Sequence, residues 1–219
     1  MPGFEEVKRS RQVRTYIMKA DESLAALGYT EHSFGHVEFV SKRAGDYLEA
    51  LGYPEHQVEL ARIAGYLHDI GNVINRIDHA QSGAVMAFRI LEQMGFDCED
   101  VSTVISAIGN HDESTASPVN AVAAALILAD KTDVRRSRVR NRDMATFDIH
   151  DRVNYAVTGS ETYFTEDGKA FVLKLDIDTS ISVVMEYFEI FLTRMLLCRR
   201  AADALGLHFK LIINNQELL

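Results

Sequence analysis

The chain has 219 residues, 47% hydrophobic and 25% charged, which suits one medium domain, or one domain with a small addition, around a real core. Its net charge of -9 argues against a general binder of nucleic-acid polymers or membrane surfaces, both densely negative, while leaving room for a local basic patch that takes a small anion. No apolar run suits a membrane span, the start carries no signal-peptide pattern, and Cys98 and Cys198 lie far apart without metal-ligand spacing, so the expectation is two free thiols in a reducing cytoplasm.

Residues 4–27 read as a polar-faced helix ending near Gly28. A second helix starts after Ser33, an N-cap type, and carries Val37, Val40, Ala44, Tyr47, Leu48 and Leu51 at helical spacing until Gly52, Tyr53 and Pro54 close it. A third spans about 55–70 and stops near Gly71, a fourth runs 79–94 with Gly95 as its C′ residue, and two more cover 99–111 and 118–137. The pattern then changes. Residues 152–158 alternate through Val153, Tyr155 and Val157, and 170–178 alternate through Phe171, Leu173, Leu175 and Ile177 after an Asp167-Gly168 hairpin signal. A long helix over 181–205 carries Met185, Phe188, Phe191, Leu192, Met195 and Leu196. The alternating stretch 207–213 then precedes an Asn214-Asn215 turn. The expected fold class is mainly α: a helical bundle followed by a small antiparallel β-sheet with one long helix. The expected division is an N-terminal helix in 1–31, a helical domain in 32–149 and a small α+β subdomain in 150–219. The apolar stripe of the long helix is core, or an interface for a homodimer, because so continuous a stripe needs covering.

Against this background six ionisable residues fall on or at the ends of core-facing stripes. His36 precedes Val40 and Ala44 by four and eight residues. His68 and Asp69 follow Ile63, Ala64 and Leu67. His79 opens a face continued by Gly83 and Ala87. His111 follows Val104 and Ile108, and Asp130 ends the run "VAAALILAD". Taken singly, each reads as a hydrogen-bonded core histidine or a capping aspartate. Taken together, two carboxylates among four imidazoles need a shared partner, since an unpaired buried carboxylate costs several kcal/mol or protonates. A divalent cation binds neutral imidazole and ionised carboxylate alike, and the two oxygens of Asp69 can bridge two ions.

The order His36, His68-Asp69, Asp130 resembles the HD superfamily of metal-dependent phosphohydrolases over residues 32–137. His79 and His111 resemble the dinuclear branch, which includes HD-type diadenosine tetraphosphate hydrolases and, more distantly, HD-GYP phosphodiesterases. "DHAQSGA" (78–84), "IGNHD" (108–112) and "ILAD" (127–130) fall in the order those hydrolases use. The resemblance implies one ion held by His36, His68, Asp69 and Asp130, and a second held by Asp69, His79 and His111. The implied metals are iron or manganese, with zinc, cobalt and nickel also compatible. The GYP signature is absent, and Asn72 stands where HD-GYP proteins usually carry Lys, which argues against cyclic-dinucleotide hydrolysis. The diadenosine hydrolases are usually shorter, so the C-terminal sheet and helix are an addition the resemblance does not explain.

The implied activity is cleavage of a phosphoester or phosphoanhydride of a nucleotide or similar small phosphorylated compound, with a hydroxide held between the ions as nucleophile. Asp69 and Asp112 are the catalytic candidates, Asp112 by orienting its neighbour His111 or by carrying a proton, while a side chain that merely faces water accounts for Asp112 equally well. Lys131, Arg135 and Arg76 are the candidates for substrate phosphate. Cations at a solvated helix end account for Lys131 and Arg135 equally well. His32, His56, His150 and His208 read as surface or structural, and Asp78 and Asp133 as local hydrogen-bonding residues. Two alternatives remain: a mixed-valent di-iron oxygenase such as myo-inositol oxygenase, which resembles the same ligand set, and a sensor module that binds metal or nucleotide without catalysis.

Overall fold

The computed structural model describes residues 2–113 and 115–218. The chain divides into two compact units, Met1–Asp130 and Lys131–Leu219. The fold is mainly α with a small sheet, as the sequence pattern indicates.

The first unit is helical. It contains α1 (Phe4–Arg9), α2 (Arg11–Ala26), α3 (Phe34–Ala50), α4 (Glu55–Leu67), a 3-10 turn at Ile70–Val73, α5 (His79–Gln93), α6 (Cys98–Gly109) and α7 (Ala121–Lys131), whose last residue passes into the second unit. The single helix expected over 4–27 is two. Ser10 leaves helical geometry at ψ 120°, and its hydroxyl accepts the Val13 N–H to cap a new helix. Val13, Ile17, Ala20 and Leu24, spaced four, three and four apart, then form the buried stripe of α2. Asn120 starts α7 by accepting the Ala123 N–H at 2.7 Å. The helix ends at Lys131, six residues earlier than the pattern suggests.

Two glycines set how the helices meet. A Cβ on Gly65 of α4 would lie 2.7 Å from Ser41 Cα, so only glycine lets α3 and α4 approach this closely. A Cβ on Gly71 would collide with the His79 carbonyl oxygen and lie 2.6 Å from the Gly83 nitrogen, so the 3-10 turn rests directly on the first turns of α5. These contacts bring the elements bearing His36, His68-Asp69 and His79 together.

The second unit contains short 3-10 turns at Arg136–Arg138 and Met144–Thr146, then α8 (Ile149–Ala156), β1 (Val157–Phe164), β2 (Ala170–Ile177), α9 (Val184–Ala204), β3 (His208–Ile213) and β4 (Gln216–Glu217). The strand expected over 152–158 is largely α8. Val153 and Val157 are four apart, a spacing both periods allow, and the Asp148 carboxylate decides the matter by accepting the Asp151 N–H at 2.8 Å as an N-cap. The sheet, in order β1-β2-β3-β4 among the described residues, is mixed rather than antiparallel throughout. β1–β2 and β3–β4 are antiparallel, but β2 and β3 run parallel, pairing Leu173 with Leu211, because the long α9 supplies the crossover that parallel neighbours need. The Asp167-Gly168 turn is present, with Gly168 at φ +67°, and Asn214 and Asn215 both take positive φ in a two-residue turn into β4. α9 buries Tyr187, Phe191, Met195 and Cys198 and exposes Met185 and Leu192. Both cysteines are free thiols, and no helix among the described residues is long and apolar enough to cross a membrane.

Candidate metal centre

All six residues singled out from the stripes are buried and lie in the first unit. His36 comes from the first turn of α3. His68 is the C-cap of α4. Asp69 follows it at φ -99° and ψ 1°, the sparsely populated bridge region that frequently holds active-site residues. His79 is the first residue of α5, entered through Asp78 in the left-handed region at φ 57°. His111 follows the end of α6 and Asp130 lies in the last turn of α7.

Their polar atoms converge around Asp69. Its Oδ2 lies 3.2 Å from His68 Nε2 and 3.6 Å from His36 Nε2, and Asp130 Oδ1 lies 3.4 Å from the same His36 nitrogen. Its other oxygen, Oδ1, lies 3.4 Å from His79 Nε2 and 4.0 Å from His111 Nε2. The carboxylate therefore sits between two histidine pairs, one oxygen to each. Two groups, His36-His68-Asp130 and His68-Asp69-His111, have ligand atoms mutually within 4.8 Å, as a metal ion requires.

The ring nitrogens facing away from the cluster show what it can hold. His68 Nδ1 lies 2.8 Å from the Gly65 carbonyl, His79 Nδ1 lies 3.0 Å from the Arg76 carbonyl, and His111 Nδ1 lies 2.6 Å from the Ile108 carbonyl. A carbonyl only accepts, so each Nδ1 carries the proton and, in a neutral ring, each Nε2 presents a lone pair. His79 and His111 thus bring two lone pairs to 3.2 Å, and His36 and His68 Nε2 lie 3.3 Å apart. A proton on one ring relieves such a contact, and so does a cation between them. Backbone carbonyls orienting histidines in this way are the usual outer partners of metal-ligating imidazoles. The donor set, imidazole nitrogens with carboxylate oxygens, fits a divalent transition-metal ion.

Charge agrees with geometry. Burial opposes the charged form of His68, but Asp69 above all, with Asp130 and the Gly65 carbonyl, raises it above the ordinary imidazole value. Burial likewise opposes ionisation of Asp69. His68 outweighs it, with His32 and His79 contributing, and holds the carboxyl well below its usual range.

The surrounding residues divide. Asn72 is buried and donates from Nδ2 to both the Asp69 carbonyl and Asp69 Oδ1, each at 2.9 Å. Arg76 Nη1 lies 3.4 Å from Asn72 Oδ1 and 3.4 Å from His79 Nε2, and its guanidinium lies over Tyr29. Asp112, half-buried, is adjacent in sequence to His111. Lys131 and Arg135 belong to the second unit. Lys131 is buried at the end of α7, and the Arg135 guanidinium is engaged by Asp133 through Nε and Nη2. Asp133 is also 3.6 Å from Arg138, in keeping with a local role. His56 pairs with Asp100 at 2.7 Å on the surface. His32 is the residue that stripe reasoning missed. It is not a simple surface histidine, because its ring packs edge-on against His36 with centroids 5.3 Å apart and its charge acts on Asp69. It lies before α3, outside the helical period, so spacing along the helix could not flag it; its place four residues before His36 was the available signal.

Comparison with known proteins bears on this arrangement. Residues 30–135 match the HD domain family model. The match contains all six residues of the cluster, together with Asn72 and Arg76. An uncharacterized protein of Methanocaldococcus jannaschii is 25% identical over 159 residues, 63% of this chain and 61% of that protein, so the chain spans about three-fifths of its relative's length. A crystal structure of a protein described as a predicted HD superfamily hydrolase, from an uncultured Thermotogales bacterium, is similar at 26% identity with a TM-score of 0.46, covering 60% of this chain and 73% of that one.

Proposed function

We propose that the chain is a metal-dependent phosphohydrolase acting on a phosphoester or phosphoanhydride of a nucleotide or similar small phosphorylated compound. The observation that carries this reading is the Asp69 carboxylate, with one oxygen toward His36 and His68 and the other toward His79 and His111. On this reading His36, His68, Asp69 and Asp130 hold one divalent ion, and Asp69, His79 and His111 hold a second. When bound, such ions polarise phosphoryl oxygens and make a water nucleophilic near neutral pH. The chain's own groups do the rest. The three Nδ1–H···O=C contacts fix the imidazoles so that their lone pairs face inward. Arg76, beside His79, supplies a cationic donor for a phosphoryl oxygen. Asp112 orients His111 or accepts a proton near it. Lys131 and Arg135 belong to the second unit and take no part in this reading.

The test is phosphate release under anaerobic conditions from a panel of nucleotides and p-nitrophenyl phosphate, with the metal-free protein reloaded with Mn2+ or Fe2+. Phosphate release that stops on chelation supports the reading. Oxygen consumption by the iron-loaded protein without phosphate release overturns it in favour of an oxygenase, and retained metal with neither activity overturns it in favour of a binding module.

A further inference from the structure

Asn72 is a buried polar side chain at the centre that the ligand reading leaves without a role. It is 1% exposed, so water cannot replace its hydrogen bonds. Its Nδ2 serves two acceptors of one residue, the Asp69 carbonyl and Asp69 Oδ1, both at 2.9 Å. Its own Oδ1 faces Arg76 Nη1 at 3.4 Å. One amide thus touches the carboxylate shared by both histidine pairs and the arginine beside the second pair.

The carboxylate needs such a partner. A free Asp69 side chain can rotate its plane so that both oxygens serve His68, the group that acts on it most strongly. The Asn72 N–H holds Oδ1 on the side of His79 and His111 and so keeps the plane spread across the two halves. The Asn72 carbonyl, in turn, draws the Arg76 guanidinium to within 3.4 Å of His79 Nε2. We propose that Asn72 is the positioning residue of the second half of the centre: its amide donor spreads Asp69 across both cation positions and its carbonyl places Arg76, so that the second cation and the substrate anion are received together. This inference rests on the two-cation reading above.

The experiment compares wild type, Asn72→Ala and Arg76→Ala, each stripped of metal and titrated with Mn2+, with stoichiometry read by elemental analysis and affinity by calorimetry. Wild type is expected to take two ions. Asn72→Ala is expected to keep the first and lose affinity for the second by about 10- to 100-fold, the usual effect of removing an outer partner. Arg76→Ala leaves the Asn72–Asp69 contact intact, so it is expected to keep both ions and raise KM for p-nitrophenyl phosphate more than it lowers kcat. Because Asn72 also donates to the Asp69 carbonyl at the start of the 3-10 turn, melting of the metal-free forms is measured alongside. Equal loss of both ions with a lowered melting temperature indicates a purely structural role and overturns the inference, as does Asn72→Ala binding both ions like wild type. Loss of the second ion in Arg76→Ala overturns the division of roles. A single ion in wild type overturns the two-cation reading and this inference with it.

Discussion

At the scale of single residues, position and hydrogen bonding separate histidines that composition cannot distinguish. His68 and His56 both face a carboxylate, His68 inside the core and His56 on the surface. On the proposed reading His68 and Asp69 are ligands, so His68→Ala or Asp69→Ala is expected to abolish metal binding at the affected positions and, with it, phosphate release. His56→Ala loses only a surface contact with Asp100 and should change neither, which elemental analysis of the purified variants checks. The raised His68 and lowered Asp69 values contribute to the pH response of the metal-free chain. The stabilisation from protonated His68 is complete below its unfolded value of about 6.5 and is lost as pH rises through the higher folded value. That from ionised Asp69 is present above its unfolded value of about 3.9 and is lost as pH falls through the lower folded value. Melting in excess chelator should therefore peak between these limits and decline on the alkaline side. Mn2+ affinity should run the other way and increase with pH, with proton release on binding, since a ligating imidazole must be neutral. A melting temperature that climbs steadily with pH in chelator contradicts the His68–Asp69 pairing.

At the scale of elements, the decisive features are the places where helices are forced close. Gly71 has no room for a methyl group between the 3-10 turn and α5. Gly71→Ala is expected to destabilise the fold by about 1–3 kcal/mol or more and to weaken metal binding through His79, whose carbonyl it displaces; urea unfolding and Mn2+ titration report the two effects separately. The placement of the candidate residues was largely legible at this scale, because helical spacing puts His36, His79, His111 and Asp130 on apolar faces and all four are buried. His32 escaped the helical period because it lies before α3, and only its place four residues before His36 pointed to it. The fold shows the same division. Helices α3 to α6 begin and end within a few residues of their periodic patterns and caps, because Ser33, Gly52 and Gly95 punctuate them. The break at Ser10 and the helix over 149–156 turn on single hydroxyl and carboxylate caps that compete with an otherwise continuous or ambiguous period. The parallel pairing of β2 and β3 is a property of the crossover and of long-range register, which alternation within a strand does not encode.

At the scale of the whole molecule, the first unit places polar and charged groups at the meeting point of five helices and a turn, where a chain built for stability alone would place apolar side chains. Metal should therefore contribute to the stability of the unit. Saturation at about 100 times Kd adds roughly 2.7 kcal/mol to a native state that alone binds the ion. Chelation is expected to lower the melting temperature by several degrees, read by differential scanning calorimetry before and after metal removal; an unchanged transition contradicts a structural share for the ions. The most direct test of the central claim is anomalous X-ray diffraction from crystals of the manganese-loaded protein. The account predicts two peaks within the first unit, one among His36, His68, Asp69 and Asp130 and the other among Asp69, His79 and His111, with Asp69 in contact with both. A single peak, or peaks away from these side chains, contradicts it.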